Sequence, residues 1–203
     1  DNVKEVKKMT REEYANFLLP NVKHDYKYYE NLYPKRDLKE GAMVTRYAPS
    51  PTGFIHIGAL LTCFITSKMA KQSDGVKGKY GPYTQSERKD IYQAFAKKLI
   101  IEDKAYPCFC SEEDNNKTRE EQARKKERTG YYGAWAKCRN LSMEEVIERI
   151  NNGEKYIIRL KSNGDFNKRF TFKDLIKGKS EMPENDVDAI IIKSDGLPTY
   201  HFA

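Results

Sequence analysis

The chain has 203 residues, 37 Lys and Arg against 30 Asp and Glu for a net charge of +7, and 14 Tyr with 9 Phe. That is length enough for one large domain or two small ones with a real core, and aromatics at this level exclude a disordered chain. No apolar run approaches the ~18 residues of a membrane span, and the charged start over residues 1–8 is not that of a secretion signal, so a cytoplasmic protein without membrane contact is expected. The basic excess suits a polyanionic partner such as a nucleotide or nucleic acid, or else a solvated surface. The four cysteines, Cys63, Cys108, Cys110 and Cys138, point to thiols or a metal rather than to disulfides.

Residues 1–42 carry mixed charge and scattered aromatics. Thr10-Arg-Glu-Glu13 reads as a capping box opening a short helix over 11–19, stopped by Pro20. The segment is expected to pack as an arm on the outside of the main domain, with His24 in solvent. Residues 43–48 are rich in β-branched side chains and predict a strand. Pro49-Ser-Pro-Thr-Gly53 is a stiff turn. Residues 57–71 then predict a helix that is apolar on much of its surface and hence buried against a sheet. Cys63 reads as a packing residue on it, and Gly75 as its C-cap. Strand, turn and helix make the first half of a βαβ unit, so a parallel strand is expected next. Instead Val76 is followed by Lys77-Gly-Lys-Tyr-Gly-Pro-Tyr83, which is loop chemistry. Residues are expected to be missing between Val76 and Lys77.

A helix follows from Gln85 to about residue 102, with Ile91, Tyr92, Phe95, Leu99 and Ile100 on its apolar face. Residues 105–110 read as extended, and 111–114 with 117–128 as exposed helix. Ser142-Met-Glu-Glu145 is a second capping box, opening a helix to Asn151. Residues 155–161, 170–172 and 188–193 predict strands, and 194–198 a turn.

Chemistry concentrates in Thr45-Arg-Tyr-Ala-Pro-Ser-Pro-Thr-Gly-Phe-Ile-His-Ile-Gly-Ala59. A Pro-stiffened turn stands at the carboxyl end of a strand, where open α/β sheets bind ligands. A helix start offers free N–H groups and the positive end of its dipole to phosphate. Gly58 lets a flat base approach the backbone, and His56 is able to donate to phosphate oxygens as charge builds on them.

This segment resembles the HIGH-signature region of the class I aminoacyl-tRNA synthetases, in the glutamyl form. The resemblance continues through Gly81-Pro-Tyr-Thr-Gln-Ser-Glu-Arg88, Ala105-Tyr-Pro-Cys-Phe-Cys110 and Lys193-Ser-Asp-Gly-Leu-Pro-Thr-Tyr-His201, in the family's order from about residue 41 to 203. It implies an α/β fold: a Rossmann-like nucleotide-binding domain with an inserted α+β acceptor-stem-binding domain. The expected division is an N-terminal helical arm over 1–40, the first half of the catalytic domain over 41–104, the insert over 105–193 and the start of the second half over 194–203. The implied reaction activates L-glutamate with ATP and Mg²⁺ to glutamyl-adenylate, then passes the glutamyl group to the terminal adenosine of tRNA. By position, Arg46, Ala48, Ser50 and Tyr200 would meet glutamate. Pro49, Thr52, Gly53, His56, Ile57, Gly58 and Ala59 would meet ATP, with His56 and Gly58 catalytic. Cys108, Cys110 and Cys138 resemble the zinc-binding cluster of some glutamyl enzymes, the fourth ligand being a Tyr or water. Lys117, Arg119, Arg124, Lys125, Lys126 and Arg128 face either tRNA phosphates or plain solvent, the interleaved glutamates favouring solvent.

The chain departs from the family pattern in places. Ala59 stands at the fourth signature position. The acidic element expected on the second strand, the Lys-Met-Ser-Lys-Ser-type loop and an anticodon-binding region are absent. The chain is therefore expected to be an N-terminal piece, monomeric, that does not complete the reaction alone. The alternatives are the short paralogue that glutamylates a modified tRNA base, and a non-catalytic fragment that binds tRNA or nucleotide.

Overall fold

The computed structural model describes residues 9–49, 55–76 and 81–203. These form two compact units: one runs to Tyr29 and resumes over Thr84–Ala203, the other is Glu30–Tyr83. This differs from the expected division, and the reason lies in α1 (Arg11–Leu18). Its Thr10–Glu13 capping box forms as the sequence predicts. However, Tyr14, Ala15, Leu18 and Leu19 are buried with Ala96, Ile100, Val146, Ile158 and Ile191 in one core. The Tyr156 hydroxyl donates to the Leu18 carbonyl at 2.7 Å. The supposed outer arm thus supplies a wall of the larger unit. A second helix, α2 (Tyr26–Leu32), was not apparent from the charge pattern; the boundary between the units falls within it.

In the larger unit, a 3₁₀ turn at Gln85–Arg88 leads into α4 (Lys89–Ile101). Then come β1 (Ala105–Cys108), α5 (Glu112–Arg124), a 3₁₀ turn at Gly133–Trp135, α6 (Met143–Asn151) and β2 (Ile157–Leu160). The hairpin β3 (Arg169–Asp174) and β4 (Gly178–Pro183) follows, and β5 (Ile190–Ile192) closes the order. α5 and α6 begin at Ser111 and Ser142, each with a reciprocal capping box. The sheet order is β1-β2-β5, antiparallel throughout, with Tyr106 opposite Arg159 and Ile158 opposite Ile192. Strand β4 escaped the sequence reading because Gly178-Lys-Ser-Glu-Met-Pro183 is poor in β-branched residues. The hairpin turn is fixed by the Asp174 carboxylate, which accepts from the Ile176 and Lys177 amides at 2.8 and 2.7 Å. The predicted turn at 194–198 sits against α4, where Lys89 and Gln93 donate to the Asp195 and Gly196 carbonyls at 2.8 and 2.9 Å. Gly196 has φ +79°, and a Cβ there would stand 2.6 Å from both side chains.

The smaller unit contains α3 (Ile57–Gln72). Residues 43–49 belong to none of the described strands, and every strand pair described is antiparallel. Among the described residues the expected strand at 43–48 and its parallel sheet are therefore not found. An extended run becomes a strand only through a partner's N–H and C=O groups. Its course is nonetheless that of a βα unit: the Met43 amide donates to Ser73 Oγ at 2.8 Å, and the Thr45 hydroxyl to the Thr66 carbonyl at 3.2 Å. The helix ends in a Schellman arrangement. The Gly75 amide reaches the Ala70 carbonyl at 2.8 Å and Asp74, not Gly75, takes the left-handed conformation at φ +57°. Gly75 instead permits close approach, since a Cβ there would lie 1.9 Å from the Met43 carbonyl oxygen. Contrary to expectation, α3 is not buried against a sheet: only Ala70 is buried along its length.

Candidate functional site

The predicted nucleotide site falls partly on described residues. Arg46, Ala48 and Pro49 lie on the extended run, Arg46 and Pro49 exposed and Ala48 half-buried. Ser50, Thr52 and Gly53 lie outside the described residues. His56 is the N-cap of α3 in extended backbone; its own side chain makes no cap hydrogen bond, and the first turn of the helix carries no acidic residue. A helix start of this kind offers N–H groups and a positive dipole end, the chemistry that receives phosphate. Ile57, Gly58 and Ala59 form this first turn. A side chain at Gly58 would press on the His56 ring at 3.3 Å from Nδ1. Tyr200 belongs to the other unit, where it is exposed and meets the His201 ring edge-on at 5.6 Å.

The cysteine cluster is brought together. β1 carries Cys108 at its end, and Cys110 follows two residues on. The third sulfur, on Cys138, arrives after the Gly133–Trp135 turn. The three Sγ atoms lie within 4.8 Å of one another, with Cys110 and Cys138 at 3.7 Å. Cys108 and Cys138 are buried and all three are free thiols. At their centre stands the Tyr131 hydroxyl, 3.3 Å from Cys108 Sγ and from Cys110 Sγ, and accepting from the Cys138 amide at 3.0 Å.

Tyr131 is placed by two anchors. Gln122 of α5 is wholly buried and bonds both the amide and the carbonyl of Gly130, at 3.0 and 2.7 Å. The Asp188 amide donates to the Tyr131 carbonyl at 2.8 Å. Above the Tyr131 ring lies the Arg159 guanidinium, 3.8 Å from the centroid. Arg159 is buried; it donates to the Asp188 carbonyl at 2.9 Å and to Asn115 at 3.2 Å, while its Nε has no partner. The Cys108 thiol is pushed far down, first by hydrogen bonds from Cys110 and Cys138, then by Tyr131 and Arg159, against the effect of burial. Cys110 is pushed up, because its proton is held on Cys108 and Cys138 and it is desolvated. Burial pushes the Tyr131 phenol up as well. A buried cationic group beside sulfur atoms that share protons suits a site for thiolates.

A second network adjoins the first. The wholly buried Asp188 carboxylate accepts from the Tyr106 hydroxyl at 2.5 Å, from the Ser162 amide at 2.8 Å, and from the Arg139 guanidinium. The sequence reading missed Tyr106, Gln122, Arg139, Arg159 and Asp188. A polar residue within an extended run looks solvated unless both faces of the strand are known to be covered. An open cavity of about 660 Å³ in the same unit is lined by Arg128, Tyr132, Phe166 and Asp186 among others, and by no residue predicted for the site. The charged stretch is a solvated helix only as far as Arg124, short of the expected 128: Lys117 pairs with Glu113 at 2.6 Å and Lys125, the C-cap, with Glu121 at 2.9 Å, while Arg128 lies beyond the helix and pairs with Asp186 at 2.7 Å.

Residues 42–77 and 75–203 match the catalytic domain of the class I tRNA synthetases (E and Q). The chain belongs to this family. Within it, the chain is 47% identical to a glutamate–tRNA ligase of Clostridium beijerinckii over 237 aligned positions, covering 96% of the chain and 43% of that protein. It is 44% identical, with the same coverage, to a glutamate–tRNA ligase of Clostridium perfringens strain 13. Among solved structures it resembles a glutamate tRNA ligase from Elizabethkingia meningosepticum in complex with its amino acid, with a TM-score of 0.62 at 26% identity, over 76% of the chain and 39% of that protein. The chain thus spans less than half the length of these relatives.

Proposed function

We propose that the chain is the N-terminal catalytic part of a glutamate–tRNA ligase, which activates L-glutamate with ATP and transfers it to the 3′-terminal adenosine of tRNA. The observation that carries this reading is the 47% identity maintained along 96% of the chain. The start of α3 receives the ATP phosphates, Pro49, Thr52, Gly53 and residues 56–59 being assigned to ATP by the resemblance, and Mg²⁺ accompanies the nucleotide. His56, at the helix tip, donates to the α-phosphate as negative charge grows there. The Arg46 guanidinium pairs its planar fork with the side-chain carboxylate of glutamate, and Ala48, Ser50 and Tyr200 are assigned to the same substrate by the resemblance alone. Residues 105–193 serve as the acceptor-stem-binding insert. No described helix is long and apolar enough to cross a membrane, and the working site is taken to be the cytoplasm, as a monomer.

Zinc fits the cysteine cluster. Two sulfurs on one tetrahedral zinc, with Zn–S near 2.3 Å, stand ~3.8 Å apart, and Cys110 and Cys138 stand at 3.7 Å. Cys108, Cys110 and Cys138 would hold the ion, with the Tyr131 hydroxyl as fourth donor. Bound there, the metal supplies a structural tie between β1 and the 131–138 loop.

The test is pyrophosphate exchange into ATP, with tRNA present, by the complete gene product carrying the relatives' intervening residues at 76–77. Exchange driven by glutamate alone among the amino acids is expected. Exchange driven by another amino acid, or by none, would overturn the reading.

A further inference from the structure

Gln85, Lys89 and Gln93 follow one another at intervals of four residues along the 3₁₀ turn and α4, the spacing that lines one helix face. All three side chains donate to main-chain carbonyls of the 195–199 loop. Lys89 reaches the Asp195 carbonyl at 2.8 Å, Gln93 the Gly196 carbonyl at 2.9 Å and Gln85 the Thr199 carbonyl at 3.5 Å. Packing alone does not call for such residues. Gln93 is buried and Lys89 half-buried, and a polar group taken from water costs stability unless it is bonded; an apolar side chain would fill the same space. The loop is shaped to receive the two donors, since a Cβ at Gly196 would stand 2.6 Å from Gln93 Nε2 and from Lys89 Cε.

The loop in turn fixes the backbone on either side of Tyr200. The Lys193 amide donates to the Leu197 carbonyl at 2.9 Å, the Thr199 amide to the Ile191 carbonyl at 3.0 Å and the Thr199 hydroxyl to the Ile190 carbonyl at 2.8 Å, which ties the loop back along β5. Beyond Tyr200, the Phe202 and Ala203 amides return to the Thr199 carbonyl at 3.1 and 3.2 Å. The main chain is thus held before and after Tyr200, while the Tyr200 residue itself is 59% exposed.

We infer that Lys89 and Gln93 are positioning residues for the amino-acid substrate: by holding the Asp195 and Gly196 carbonyls they set the place of the loop from which Tyr200 meets glutamate. They act through Tyr200 and do not touch the substrate. The inference rests on the ligase reading, which assigns Tyr200 to glutamate. A substrate contact built on a loop is only as accurate as the groups that lock the loop, and an error of an ångström there is felt in binding and rate. The effect belongs to glutamate and not to ATP, whose phosphates that reading assigns to the start of α3.

The experiment measures glutamate-dependent pyrophosphate exchange, with tRNA present, by the complete gene product. Lys89→Met and Gln93→Leu keep the bulk of the side chain and remove the donor. Each is expected to raise the KM for glutamate about tenfold, while kcat and the KM for ATP stay within about twofold. Lys89→Arg keeps a donor and is expected to return the glutamate KM to within about twofold of the unaltered enzyme. In a Tyr200→Ala background, Lys89→Met is expected to add nothing further to the glutamate KM, as two changes on one route do. An unchanged glutamate KM in Lys89→Met would overturn the inference. So would a fall in kcat with both KM values unchanged, or full additivity with Tyr200→Ala. If Gln93→Leu fails to fold, the Lys89 pair and the double variant decide alone. Exchange driven by a different amino acid in the unaltered enzyme overturns the ligase reading and this inference with it, whereas ordinary glutamate KM values in the variants of a glutamate-driven enzyme overturn this inference alone.

Discussion

Arg159 and Asp188 govern the behaviour of the larger unit out of proportion to their visibility in the sequence. Arg159 brings a buried positive charge over Tyr131 and toward three sulfurs. Partners of this kind around a metal site change affinity by about 10–100-fold. Arg159→Met is therefore expected to weaken zinc binding by roughly tenfold, and Cys138→Ser to abolish it, both read by competition with a chromophoric chelator. Asp188 gathers Tyr106, Arg139 and the Ser162 amide around one carboxylate. Asp188→Ala leaves the Tyr106 hydroxyl, the Ser162 amide and the half-buried Arg139 guanidinium without their acceptor, which is expected to cost about 1–3 kcal/mol, measurable as a lower urea midpoint. Burial raises the phenols of Tyr14, Tyr106 and Tyr131 above the ordinary value, Tyr106 with added help from Asp188. The unfolded chain releases these protons near pH 10 while the folded chain keeps them. Their stabilisation is therefore complete below pH ~10 and is lost as pH rises beyond it. Tyrosinate absorbance is expected to show fewer than the 14 tyrosines ionising before the protein unfolds.

Among the elements, local signals were readable and distant ones were not. Thr10–Glu13 and Ser142–Glu145 are capping boxes in the sequence and in the structure, because both partners lie within one helical turn. Thr10→Ala is expected to cost about 1 kcal/mol, read by equilibrium unfolding. The start of α3 at Ile57 is equally legible, from the Pro-rich turn and the apolar run after it. Whether residues 43–48 become a strand is not legible locally, for that depends on a neighbour elsewhere in the chain. The cysteine trio, with a Tyr or water as its fourth ligand, was recognisable from its resemblance to a family cluster; that the Tyr is Tyr131 was not, since only the folded loop brings its hydroxyl to the sulfurs. Gln122 sits in a run of charge and reads as solvent-facing; it is buried because Gly130 folds back onto it.

At the level of the whole molecule, the chain forms two compact units, and the smaller one carries the residues proposed to bind nucleotide. Expressed alone, the 203 residues are expected to show no glutamate-dependent pyrophosphate exchange even with tRNA present. Once activity is restored by the intervening residues and the remainder of the gene product, His56→Ala is expected to lower the exchange rate by about 10²–10³-fold, the effect of losing one donor to a developing oxyanion, while tRNA affinity in a gel-shift assay stays the same.

The seating of α1 has a bearing on how the chain comes to its final form during synthesis. Tyr14 and Leu18 leave the ribosome early, but the groups that enclose them, Ile158, Ile191 and the Tyr156 hydroxyl, emerge more than a hundred residues later. Contacts so far apart along the chain form slowly. Until those residues emerge, the first helix is a greasy segment without a home, and this is the stage at which a chaperone would find it.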